Sequence, residues 1–183
     1  MKPTQMSYPT LALLAQASKD LGSTTKPFRD LFPPDKMKDV FKDPKHAEVT
    51  AMQPIPFAVD IPFVQHLGIE LLEQSPQRAL IRLARKAEHN NSWGSAHGGV
   101  VMTMLDLVMA CAVRGHHGVA GASVLTVDMS VSFIQPGLGE ILAEGRVLSA
   151  GRSTTFCEAE TRDTQGKLLA KAMGTFKMLE KRQ

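Results

Sequence analysis

His97-Gly98-Gly99-Val100-Val101-Met102-Thr103-Met104-Leu105-Asp106-Leu107-Val108-Met109-Ala110-Cys111-Ala112-Val113 is the stretch on which the reading of this 183-residue chain turns. From Val100 to Val113 it is apolar almost all round, with Thr103 and Asp106 as its polar members. The run is too long for a buried strand and reads as a helix, and a helix without a wet face must be buried. Whatever surrounds it must therefore be the rest of the domain.

What surrounds it alternates. Pro62 to Leu67 suits a short helix with Pro62 in its first turn and Gly68 ending it. Ile69 to Gln74 and Gln77 to Lys86 read as a hairpin about Ser75-Pro76, and Glu88 to Ala96 as a loop. After a Gly115 to Gly121 loop come four segments of period two: Val124 to Ile134, Glu140 to Ser149, Ser153 to Arg162 and Lys167 to Leu179. Turn residues at Pro136-Gly137, Ala150-Gly151 and Asp163 to Gly166 separate them. An α+β fold, one antiparallel sheet wrapped around one long central helix, satisfies this order with short connections. Residues 1–60 differ in character: prolines interrupt them repeatedly, and only Leu11 to Leu21 and Pro34 to Phe41 suit short helices. They are expected to be an extension to a domain covering residues 61–183.

Composition narrows the function. The net charge is +3, and the densest basic stretch, Arg78 to Lys86, alternates with apolar residues as the wet face of a strand would. Aromatics are only 5%, so a clustered basic surface with stacking platforms, as nucleic-acid binding needs, is not expected. No uninterrupted apolar run approaches the roughly 20 residues of a membrane span. Leu11 to Ala17 is too short and too weakly charged at its start for a signal peptide. Cys111 and Cys157, in apolar or alternating surroundings, read as free thiols of a cytoplasmic protein.

Asp106 is the one charge between His97 and Arg114. Inside a helix with no solvent face, an ionised carboxylate costs several kcal/mol unless it is paired. It either bridges a neighbour such as Arg114 or serves chemistry, and the lack of a wet face favours chemistry. At the start of the helix, Gly98 and Gly99 allow close backbone approach, and the free N–H groups of a first turn can stabilise an oxyanion. Asn91, Ser92, Ser95 and His97 add hydrogen-bonding groups to the same loop. Gly98 and Asp106 are eight residues apart, about 12 Å along a helix. One small reacting group cannot touch both in one chain. If both are catalytic, a two-fold dimer with antiparallel central helices would bring each glycine turn to the other chain's aspartate. On the following strand, strict alternation sets Leu125, Val127, Met129, Val131 and Phe133 on one face and Thr126, Asp128, Ser130 and Ser132 on the other. A metal site from His89, His97, His116 and His117 lacks paired ligand spacing, so none is expected.

Asn91, His97-Gly98-Gly99, Asp106, Thr126-Val127-Asp128-Met129 and Phe133 together resemble the hotdog-fold thioesterases, in particular the phenylacetic-acid-degradation type. The resemblance covers roughly Ile61 to Leu179. It implies a homodimer, often paired again into a tetramer, that cleaves acyl-CoA to a free acid and CoA without metal or cofactor. It implies that the N–H matching Gly98 polarises the thioester carbonyl and that the partner chain's carboxylate matching Asp106 is base or nucleophile. Asn91 would place water or thioester, Thr126 would assist the carboxylate, and His97 would orient the loop or act directly. Gly99 and Ser95 would line the substrate, and Arg152 could meet the CoA phosphates. Two rivals share the fold: a non-catalytic acyl-CoA sensor, which has no need of Asp106, and a hydroxyacyl-thioester dehydratase, which carries a different histidine motif.

Overall fold

The computed structural model describes Val49 and residues 51–119 and 121–179. The helices expected at Leu11 to Leu21 and Pro34 to Phe41 lie outside the described residues. Pro62 opens helix α1 (Pro62–Leu67), where its fixed φ suits the first turn, and Gly68, at φ 67°, closes it. Strands β1 (Ile69–Gln74) and β2 (Ala79–Leu83) form the expected hairpin. β2 stops short of Lys86 because the chain turns into one 3-10 turn at Ala87–His89.

Helix α2 (Gly98–His116) follows, then β3 (Ser123–Phe133), β4 (Ile141–Ala150), β5 (Thr154–Asp163) and β6 (Leu168–Leu179). The six strands form one antiparallel sheet in the order β1-β2-β4-β5-β6-β3. The sheet wraps α2, which buries Val101, Met104, Leu105, Leu107, Val108, Met109, Cys111, Ala112 and Val113. Helix and sheet meet closely at Gly145 of β4, where a Cβ would stand 2.7 Å from the Val108 carbonyl oxygen. A glycine is needed there for the helix backbone to lie down on the strand. Before α1, Ile55 bridges to Leu71, Phe57 packs against the main core, and Val49 and Met52 cover a second cluster of Leu72, Leu80 and Leu142.

Two expectations need correction. α2 is not enclosed on every side: Gly99 and Met102 are exposed and Thr103, Asp106, Ala110 and Arg114 half-buried, a stripe at helical spacing. One curved sheet covers only part of a helix's circumference, so Asp106 lies on the uncovered arc. The second concerns β3, whose alternation is not strict. A bulge between Thr126 and Asp128 lets Thr126 pair with Phe176 and Asp128 with Thr175, leaving Val127 as the extra residue. Val124 and Thr126 therefore share the helix-facing side with Met129 and Val131, while Leu125 and Val127 stand 53% and 59% exposed. α2 also runs through Gly115 and His116, one turn into the expected loop.

Candidate active site

The loop that leads into α2 is organised by its own side chains. Asn91 Oδ1 accepts from the N–H groups of Trp93 (2.9 Å) and Ser95 (3.2 Å), and its Nδ2 donates to Ser95 Oγ at 2.9 Å. This is the local bonding by which Asn replaces a backbone turn. Asn91 and the buried Ser95 thus fix the loop's shape, and Asn91 keeps only one amide hydrogen to offer elsewhere. His89 is buried, accepts from Lys86 N–H through Nδ1 at 3.0 Å, and its carbonyl accepts from His97 N–H at 2.8 Å.

His97 caps the helix. Its Nδ1 accepts from Gly99 N–H at 2.9 Å, and its carbonyl accepts from the N–H groups of Val100 and Val101. Of the first-turn donors, this leaves Gly98 N–H with no acceptor among the described residues. It opens on a cavity of about 390 Å³ lined by Asn91, Trp93, Ser95, Phe133 and Ile134, among others. A first-turn N–H carries partial positive charge, so this donor can receive developing negative charge on an oxygen.

The second half lies further along the same helix. Thr126 Oγ1 donates to Asp106 Oδ1 at 2.6 Å, a short charge-assisted bond that pins the carboxylate. Oδ2 has no partner among the described residues, and no ion pair joins Asp106 to Arg114, whose Nε donates to the Ala122 carbonyl at 2.9 Å. Asp106 and Thr126 line a cavity of about 380 Å³ with Phe63, Met102, Ala110 and Arg114 among its other walls. The bulge in β3 is what turns Thr126 inward to meet Asp106.

The two cavities share no lining residue. The structure therefore brings Asn91, Ser95, Gly98 and Phe133 together, and Asp106 with Thr126, and keeps the two groups apart in one chain. His97 is exposed and committed to Gly99, Gly99 itself is exposed beside it, and Arg152 is exposed in the β4–β5 turn and lines neither cavity.

Sequence reasoning passed over Arg85. Its guanidinium donates to Asn90 Oδ1, to the Gly94 carbonyl at 3.1 Å and to the Leu138 carbonyl, tying the loop to the chain after Pro136. An arginine just past the end of a strand, with no acidic residue beside it in sequence, carries no signal for such a role. The cysteines are buried, and burial pushes the Cys111 thiol up to about 11 and the Cys157 thiol up to about 12. Neither is a thiolate near neutral pH, which removes them as nucleophiles. Among the described residues no three His, Cys, Asp or Glu side chains converge as metal ligands. His116 and His117 pack edge to face, and His117 Nε2 lies 3.2 Å from Thr155 Oγ1.

Comparison with known proteins identifies the family. Residues 94–170 match the family model described as the thioesterase superfamily. Human acyl-coenzyme A thioesterase 13 is 31% identical over 121 residues, covering 62% of this chain and 82% of that one. A conserved protein of Pseudomonas aeruginosa superposes with a TM-score of 0.62 at 30% identity, over 66% of this chain and 95% of its own. The PaaI protein of the Escherichia coli phenylacetic acid degradation operon shares the fold, with a TM-score of 0.60 at 21% identity over 66% and 86% of the two chains. From its sheet, its central helix and these likenesses, the chain belongs to the thioesterase superfamily and is a thioester hydrolase of the hotdog fold.

Proposed function

We propose that the protein hydrolyses an acyl-CoA to a free acid and CoA in a site shared between two copies of the chain. The observation that carries this reading is the pair of half-sites: an uncommitted N–H at Gly98, and a carboxylate held by Thr126 eight residues along the same helix. Their roughly 12 Å separation is too great for one carbonyl group. The uncovered stripe of α2, beside the long edge of β3 that is unpaired among the described residues, is the surface on which a second copy would bring them together. Such a dimer, alone or paired again, holds two equivalent sites.

In each site the thioester oxygen accepts from Gly98 N–H of one protomer. Asp106 of the other, with Oδ2 free, takes a proton from the attacking water. The tetrahedral oxyanion is stabilised at the helix N-terminus, then collapses with expulsion of the CoA sulfur. Thr126 is a positioning residue for the carboxylate. Asn91 and Ser95 shape the loop that presents Gly98, His97 holds its first turn with Gly99, and Arg152 is free to meet phosphate at the surface.

An acyl-CoA panel assayed for thiol release tests the reading. Release is expected for some members and should fall by about 10² or more in Asp106→Asn, consistent with loss of a general base. Hydrolysis that survives Asp106→Asn overturns the mechanism. CoA binding without hydrolysis of any member favours the sensor alternative.

A further inference from the structure

We infer that the acyl group this enzyme takes ends in a carboxylate, held by Arg114 at the far end of the cavity that Asp106 opens on; the inference rests on the acyl-CoA reading above. Arg114 lines that cavity with Asp106. The two residues are eight apart on α2, about 12 Å along its axis, and because helical side chains lean toward the N-terminus the longer Arg114 side chain reaches back toward Asp106. The walls between them, Leu107, Ala110 and Val124, are apolar. The cavity thus offers a carboxylate at one end, a methylene-compatible middle and a guanidinium at the other.

Arg114, like Arg85 and Arg152 but unlike four of the described arginines, holds no carboxylate among the described residues, and of these three only Arg114 lines the cavity with Asp106. Arg78, Arg82, Arg146 and Arg162 each hold a glutamate. Arg114 has only the Ala122 carbonyl on Nε and the protonated Cys111 thiol beside it, and no carboxylate among the described residues. Its place in the last turn of α2 suits the helix dipole, and the Ala122 bond ties down the following loop. Neither role needs a cation at the wall of a cavity, where half-burial leaves its charge only partly solvated. A substrate carboxylate supplies the match and can bind the planar fork in two places. Asp106 sets the direction: a carboxylate entering the other way round would face it and be repelled, so the thioester end is left for Asp106.

The test uses matched saturated acyl-CoAs that differ only in a terminal methyl or carboxylate, compared by kcat/KM with the full chain. The carboxylate-ended member should be preferred at one or more lengths. Arg114→Met should lower the ratio of carboxylate-ended to methyl-ended kcat/KM about tenfold or more, mainly through KM, as loss of a hydrogen bond to a charged group implies. Arg114→Lys should keep part of the ratio. If Arg114→Met does not fold, inhibition of the wild type by free dicarboxylates against monocarboxylates of equal length decides, with stronger inhibition by dicarboxylates expected. A methyl preference at every length, equal inhibition, or an equal fall in both series overturns the inference alone. No thiol release from either series overturns the acyl-CoA reading and this inference with it.

Discussion

Gly98 can be replaced by the one residue that lacks the donor in question, and the local geometry accepts it. It occupies the first position of α2, where proline is favoured, and its N–H has no acceptor among the described residues to lose. The preceding His97 has ψ 137°, the extended value a residue before proline adopts. A Cβ at position 98 would lie 3.5 Å from Phe133 Cζ, an ordinary contact. Gly98→Pro is therefore expected to fold while removing one oxyanion donor, a loss of about 2.7–4 kcal/mol or about 10²–10³ in kcat. Asp106→Asn disables the other half-site. If dimers of the two variants are dissociated, mixed in equal amounts and reassociated, half will be mixed pairs. Each mixed pair carries one site with both groups intact and one with neither, so thiol release should recover to about a quarter of the wild-type rate. Native mass spectrometry would verify that mixed pairs formed. Mixed pairs without recovered activity would refute the shared site, and full activity in Gly98→Pro alone would refute the oxyanion assignment.

Three further outcomes are expected. Thr126→Val keeps the shape of the side chain but removes the 2.6 Å bond to Asp106, and kcat should fall about tenfold or more with the melting temperature little changed; a kcat within error of wild type would leave Thr126 a wall residue only. Gly145→Ala puts a methyl against the backbone of Val108, whose helix must move, so denaturant unfolding should show a loss of about 1–3 kcal/mol, and a neutral result would contradict the close approach. A disulfide reagent should leave both buried, protonated thiols unmodified near neutral pH until the protein unfolds, and rapid labelling of the native protein would disprove their seclusion.

The architecture was legible because its signals are periodic. The apolar run from Val100 to Val113 and the alternating segments after it define helix and strands, and the structure moves their ends by only a few residues. The loop-to-helix start at Gly98 and the distance to Asp106 were legible because they follow from helix geometry alone. The bulge at Val127 was not, since an extra residue in one strand is defined by its partner: only the register against Phe176 and Thr175 shows that Thr126 faces Asp106. The open stripe on α2 was likewise hidden, because Gly99, Met102 and Ala110 are as apolar as the covered side. Arg85 and Arg114 act through the carbonyls of Leu138 and Ala122, contacts that residue type does not announce.

Because Gly98 and Asp106 ride on one continuous α2, that helix works as a ruler for the proposed dimer. Inserting or deleting one residue between them would swing Asp106 by about 100° and move it 1.5 Å along the axis. Both reaction centres would lose register together, since each copy supplies a part to each. Change in what the enzyme accepts is therefore channelled away from the rod's length. It is left to the residues projecting beside the rod, at Phe63, Met102, Ala110 and Arg114.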